Sequence, residues 1–207
     1  MKWLPNAVSI SRLALAPLIG YLIWAGLTKD VANRELEWAF GLFVFSALTD
    51  WLDGFLARKL DAKSELGGKL DLGGDKILVG ITLLALWAGW MSDVHDCTDV
   101  LLGVLGYVMP YGIGLFFLLA IPVRDSLVTR LRAQASLKGV SLTPTFAAKS
   151  KTAVIMGGMG LLLAGLASGL SGLGSAGFAI LVLGALMSIW TGLAYFKAAR
   201  GASSTEA

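Results

Sequence analysis

Asp50-Trp-Leu-Asp53-Gly54-Phe-Leu-Ala57-Arg58, followed eight residues later by Gly67-Gly-Lys-Leu-Asp71-Leu-Gly-Gly-Asp75, is the stretch on which the reading of this chain turns. Its four carboxylates are embedded between long apolar runs. A carboxylate at membrane depth is costly and is kept where it binds something cationic. Asp50 and Asp53 are one helical turn apart, and Gly67, Asp71 and Asp75 recur every four residues, so each set forms a stripe on one helix face. Two antiparallel helices joined by a short connection after Leu60 would turn these stripes toward each other. An oxygen-only donor set suits hard cations, Mg²⁺ or Mn²⁺ before zinc. Four carboxylates balance two such ions, the complement used for displacement at phosphorus. An EF-hand does not fit, because its ligands alternate every second residue within a loop. Gly54 leaves room for a bulky ligand beside the first pair, and Arg58, two turns past Asp50, is suited to pair with a phosphate oxygen.

The composition agrees with a bilayer setting. The 207 residues are 56% hydrophobic and 15% charged, with a mean hydropathy of +0.74, far more apolar than an ordinary soluble chain. The expectation is an all-α integral membrane protein with a single domain over residues 1–200 and a disordered polar tail over 201–207. Cys97 is the single cysteine and His95 the single histidine. That excludes an internal disulfide, a thiolate-rich metal site and a histidine-rich zinc or haem site. The apolar segment after Met1-Lys2 has no small-residue cleavage pattern, and reads as retained. A pI near 9.1 fits an anionic membrane surface, and nothing suggests nucleic-acid binding.

A span needs about 20 mostly apolar residues. Six segments qualify, approximately Pro5–Leu27, Leu36–Leu60, Lys69–Trp90, Val100–Ile121, Ala147–Leu170 and Ser175–Lys197. The acidic stretch interrupts the second and third, so hydropathy alone would undercount. Lys and Arg concentrate around the loop after the second span, between Arg124 and Lys151, and at Lys197 and Arg200. By the positive-inside rule both termini, and the opening of the acidic site, face the cytoplasm. Pro110 and Pro122 are expected to kink and end the fourth span. Met156-Gly-Gly-Met-Gly160 and Gly165/Gly169 allow close helix approach, either between the last two spans or across a dimer interface.

The pattern D-x2-D-G-x2-A-R-x8-G-x3-D-x3-D resembles the signature of the CDP-alcohol phosphatidyltransferases, with Asp50, Asp53, Gly54, Ala57, Arg58, Gly67, Asp71 and Asp75 filling every fixed position. The resemblance implies a six-span membrane enzyme, usually a homodimer, that displaces CMP from a CDP-linked lipid with an alcohol. It implies that Asp50, Asp53 and Asp71 are the principal metal ligands. Asp75 would complete the metal site and act as the catalytic base. Gly54, Ala57, Arg58 and Gly67 would line the pocket for CDP-diacylglycerol.

The acceptor alcohol is read from the other cations. Arg124, Arg130, Arg132, Lys149 and Lys151 are either a loop lying on anionic headgroups or a pocket for an acceptor that carries its own phosphate. The segments Val123–Arg132 and Ala148-Lys-Ser-Lys-Thr152, with the opening Asn6-x2-Ser9-x2-Arg12-x4-Pro17, resemble those of the bacterial phosphatidylglycerophosphate-forming branch. That likeness implies that Arg124, Arg132, Lys149 and Lys151 hold the phosphate of sn-glycerol 3-phosphate and that Asn6 and Arg12 close the site. It also implies a bacterial inner membrane, with membrane lipids as neighbours. Leu72, Gly74, Ser9 and Ala148 depart from that branch without touching the metal ligands. Relatives that make cardiolipin or use an inositol phosphate share the core motif, and a cation transporter lined by the aspartates is the reading from another class.

Overall fold

The computed structural model describes residues 3–28, 34–59, 65–93, 112, 114–137 and 146–204. Among these every residue except Gly169 and Leu170 is helical, and there is no strand. The helices are α1 (Trp3–Thr28), α2 (Arg34–Lys59), α3 (Glu65–Asp93), α4 (Arg124–Leu137), α5 (Phe146–Ser168) and α6 (Ser171–Ser204). A π-helical segment, Leu119–Val123, joins the helical residues 114–118 to α4.

Helix contacts close a ring. α1 packs against both α2 and α3, α2 against α5, α5 against α6, α6 against α4, and the π segment against α3, α4 and α6. The apolar core runs through this ring and includes Ile19 and Ile23 of α1, Phe43 of α2, Leu78 of α3, Ile155, Met159 and Leu163 of α5, and Leu181 and Ala185 of α6. The outer surface is equally apolar. Trp190 is 78% exposed, and Phe45, Leu48, Leu183 and Leu193 also face outward. Buried polar side chains, meanwhile, include Arg12, Ser46, Thr82, Lys151, Ser188 and Thr191. A greasy exterior around a partly polar interior is the distribution a bilayer selects.

Among the described residues, three stretches are long and apolar enough to cross a membrane, Ser11–Thr28, Ser150–Ser168 and Ser171–Lys197, and α3 contains a shorter apolar run, Lys76–Gly89. At 26 residues α2 extends roughly 39 Å, long enough to cross a bilayer. Most of the expected fourth span, and both His95 and Cys97, lie outside the described residues.

The expectation that Pro122 ends its helix is corrected. Pro122 sits inside the π segment, and the chain continues helically through Leu137. A wider turn shifts the hydrogen-bond register, so a residue without an N–H is tolerated. The Arg124 N–H donates to the Leu119 carbonyl, five residues back. The Ser126 hydroxyl donates to the Pro122 carbonyl over 2.9 Å. α6 also continues past Arg200 to Ser204, into the polar stretch expected to be disordered. Once a long helix exists, adding a turn needs no new nucleus.

Of the two packings open to the glycine-rich spans, the intramolecular one is present. Among the described residues α5 and α6 form the most extensive helix pair, antiparallel across a tight turn at Gly169, whose φ is +70°. A Cβ on Gly158 would sit 2.8 Å from the Leu181 backbone nitrogen, so the absence of a side chain sets the approach of the two backbones.

Candidate active site

Both halves of the acidic stretch are helical. Asp50, Asp53, Gly54, Ala57 and Arg58 occupy the last turns of α2, and Gly67, Asp71 and Asp75 the first turns of α3. The side chains of these acids and of Arg58, together with those of Asn6, Arg132 and Lys149, lie outside the described residues. As a donor set, carboxylates at one-turn spacing on two helices fit hard divalent cations.

The cations expected to bind an acceptor phosphate are described at two positions, and these meet. Lys151, near the start of α5, is only 4% exposed. Its Nζ donates to Asp125 Oδ1, and Arg124 Nη1 donates to the same oxygen over 2.8 Å. One carboxylate thus bridges an ammonium and a guanidinium on two different helices, with Lys151 26 residues from Asp125 in sequence. A buried cation is stable only when paired, and Asp125 supplies the pairing for both. Enough N–H groups remain on the two cations to take a further anion, since an ammonium has three and a guanidinium five.

A second tie reaches the acidic stretch. Lys76, the residue after Asp75 on α3, donates through Nζ to Thr129 Oγ1 of α4 over 2.8 Å, and the Thr129 hydroxyl donates to the Asp125 carbonyl over 2.8 Å. The helix that carries Arg124 and Asp125 is therefore fastened beside the turn that carries Asp75. Arg12, on α1, is 2% exposed and buried within the same bundle.

A sizeable cavity lies elsewhere. It is about 640 Å³ and almost wholly apolar, bounded by Leu27, Trp87, Gly89, Phe117, Gly169 and Phe178. Those positions mark the far ends of α1 and α3 and the α5–α6 turn, at the opposite end of the bundle from Lys76 and Lys151. A smaller crevice of about 290 Å³ is lined by Arg124, Leu119, Ile189, Gly192 and Phe196.

Sequence reading passed over Asp125, Thr129, Lys76 and Thr191 as site-shaping residues. An acid directly after Arg124 was visible; the threonines carried no signal, because hydroxyl residues are ordinary in membrane helices.

A family model for the CDP-alcohol phosphatidyltransferases matches residues 2–190. The chain belongs to that family. As a CDP-alcohol phosphatidyltransferase it is an enzyme, and the transporter reading falls away. It is similar to a CDP-diacylglycerol--glycerol-3-phosphate 3-phosphatidyltransferase of Rickettsia typhi, with 32% identity over 203 residues, 97% of this chain and 98% of that relative. A protein of the same description from Arabidopsis thaliana, numbered 2, is 29% identical over 202 residues, covering 94% of this chain and 78% of its own length. Human cardiolipin synthase (CMP-forming) is 40% identical, but over only 84 residues, 40% of this chain and 25% of that relative.

Proposed function

We propose that this phosphatidyltransferase moves the phosphatidyl group of CDP-diacylglycerol onto sn-glycerol 3-phosphate, giving phosphatidylglycerophosphate and CMP. The observation that carries this reading is the joining of Arg124 and Lys151 on Asp125, beside the helical turn of Asp75. A neutral alcohol would not need two cations held in the bundle interior, whereas an acceptor with its own phosphate would. The full-length likeness to glycerol-3-phosphate-using relatives supports the same choice.

In this reading Arg124, Lys151, Arg132 and Lys149 bind the acceptor phosphate, and Asn6 and Arg12 close over it. Gly54, Ala57 and Gly67 leave space for the cytidine diphosphate moiety, and Arg58 pairs with its phosphate oxygens. Asp50, Asp53, Asp71 and Asp75 would hold two divalent cations, Mg²⁺ or Mn²⁺. Such ions, when bound, neutralise charge on the pyrophosphate. The acceptor hydroxyl attacks the phosphorus attached to diacylglycerol, the bond from that phosphorus to the CMP oxygen breaks, and Asp75 takes the hydroxyl proton. An ordinary aspartate, with a pKa of about 4, is a weak base for an alcohol, so proton transfer follows bond formation rather than leading it. The architecture that goes with this chemistry is six membrane-spanning helices with the site at the cytoplasmic side of a bacterial inner membrane, in a homodimer.

A second reading, cardiolipin synthesis with phosphatidylglycerol as acceptor, is raised by the partial likeness to the human cardiolipin synthase. The test is a panel: CDP-diacylglycerol with a divalent cation and, in turn, glycerol 3-phosphate, an inositol phosphate or phosphatidylglycerol, scored by CMP release. Release dependent on glycerol 3-phosphate is the expected result. Equal or greater release with another acceptor rejects the assignment.

A further inference from the structure

Arg124 is held from a direction that its own segment does not supply. Its Nη1 is taken by Asp125, the next residue, whereas its Nη2 donates over 2.6 Å to Thr191 Oγ1 on α6, 67 residues away. Thr191 is 5% exposed. Its own hydroxyl hydrogen is directed back along the helix, with the Met187 carbonyl at 2.8 Å and the Ser188 carbonyl at 3.1 Å. That arrangement leaves an oxygen lone pair for the guanidinium, so Thr191 acts toward Arg124 as a fixed acceptor.

The neighbouring residue completes the seat. A Cβ built on Gly192 would stand 2.8 Å from Arg124 Nε, 3.3 Å from its Cγ and 3.6 Å from its Cδ. The Arg124 stem therefore lies directly on the α6 backbone, in a space that any side chain at 192 would fill. Thr191 fixes the guanidinium end and Gly192 admits the stem. α6 also forms part of the crevice that Arg124 lines, through Ile189, Gly192 and Phe196.

We infer that Thr191 and Gly192 are positioning residues for acceptor binding: α6 is a cradle that aims the Arg124 guanidinium at the acceptor phosphate. The inference rests on the reading of Arg124 as an acceptor-phosphate ligand. A planar guanidinium recognises a phosphate through two parallel N–H groups, and its direction matters as much as its charge. Asp125 and Thr191 each occupy one terminal nitrogen from a different side, and together they set the plane of the group.

The test is steady-state kinetics of the full-length protein in mixed micelles with CDP-diacylglycerol, Mg²⁺ and varied sn-glycerol 3-phosphate. Thr191→Val keeps shape and removes the acceptor oxygen, and is expected to raise the KM for glycerol 3-phosphate about tenfold, as loss of a hydrogen bond to a charged group does. The KM for CDP-diacylglycerol and kcat should change by less than about twofold. Thr191→Ser restores the hydroxyl and should return the acceptor KM to within about twofold of the parent. Gly192→Ala, which displaces the stem and leaves the hydroxyl, should raise the same KM, and covers the case in which Thr191→Val does not fold. In an Arg124→Lys background, which lacks the second terminal nitrogen, adding Thr191→Val should have less than about a twofold further effect. Parent-like acceptor KM in both Thr191→Val and Gly192→Ala overturns the inference, as do equal losses in kcat and both KM values. If Arg124→Lys itself leaves the acceptor KM unchanged, the fault lies with the acceptor-phosphate reading rather than with the cradle.

Discussion

Lys151 and Asp125 form an ion pair between α5 and α4, and through it the buried ammonium shares its counter-charge with Arg124. Removing one member of such a pair leaves a charge uncompensated, whereas removing both can be nearly neutral. Asp125→Asn should therefore destabilise the protein by roughly 2–3 kcal/mol, below the full buried-pair value because its side chain keeps 22% exposure. Thermal unfolding in detergent would show this as a lowered Tm. Combining Asp125→Asn with Lys151→Met should recover part of the stability and none of the activity. A Tm unchanged in the single variant would show that the carboxylate is not what keeps the two cations in place.

The two substrates should respond to different cations. Lys151→Gln is expected to raise the KM for glycerol 3-phosphate about tenfold with little change for CDP-diacylglycerol, since a charge-assisted contact to phosphate is lost. Arg58→Gln should do the reverse. Parallel titrations of both substrates measure the split, and the same pattern in both variants would contradict separate subsites.

Asp71→Asn should lower CMP release by at least about a thousandfold, because charge neutralisation by bound metal contributes several kcal/mol to a displacement at phosphorus. Chelation of divalent ions should abolish parent activity, and Mg²⁺ or Mn²⁺ should restore it. Circular dichroism of the Asp71→Asn variant should retain the helical spectrum of the parent. Near-normal turnover would reject the carboxylate metal site.

The α5–α6 seam offers a pair of adjacent glycines with opposite expectations. Gly158→Ala places a methyl 2.8 Å from the Leu181 nitrogen, a backbone atom that cannot swing aside, and should cost about 1–3 kcal/mol by overpacking. At Gly157 the same methyl meets nothing within 4 Å, so Gly157→Ala should stabilise by about 0.5–1 kcal/mol through reduced chain entropy. Unfolding curves of both variants in one detergent check the contrast. Equal shifts would mean that the backbones are not in close contact there.

What could be read in the sequence was local. The spacing of Asp50 to Asp53 and of Gly67 to Asp71 to Asp75 needs only the pitch of a helix to become two stripes, and the helices are present at both. With Gly54, Ala57 and Arg58 they make up the eight fixed positions that carry the family, and the small residues around Gly158 and Gly165 announced a close helix contact because a missing side chain is visible in one dimension. Whether that contact was within the chain was a question of three dimensions, answered by the turn at Gly169. Pro122 shows the limit of a local rule: the missing N–H forbids an ordinary turn, yet packing against α3 and α6 favours a wider one and the helix goes on to present Arg124. The seat for Arg124 was beyond sequence reading altogether. Thr191 and Gly192 are unremarkable in a membrane helix, and they acquire a role only because the ring of helices brings residue 191 to residue 124. Spacing along a helix is dictated by the backbone, but contact between helices is a property of the whole core, and it is there that the direction of the guanidinium is decided.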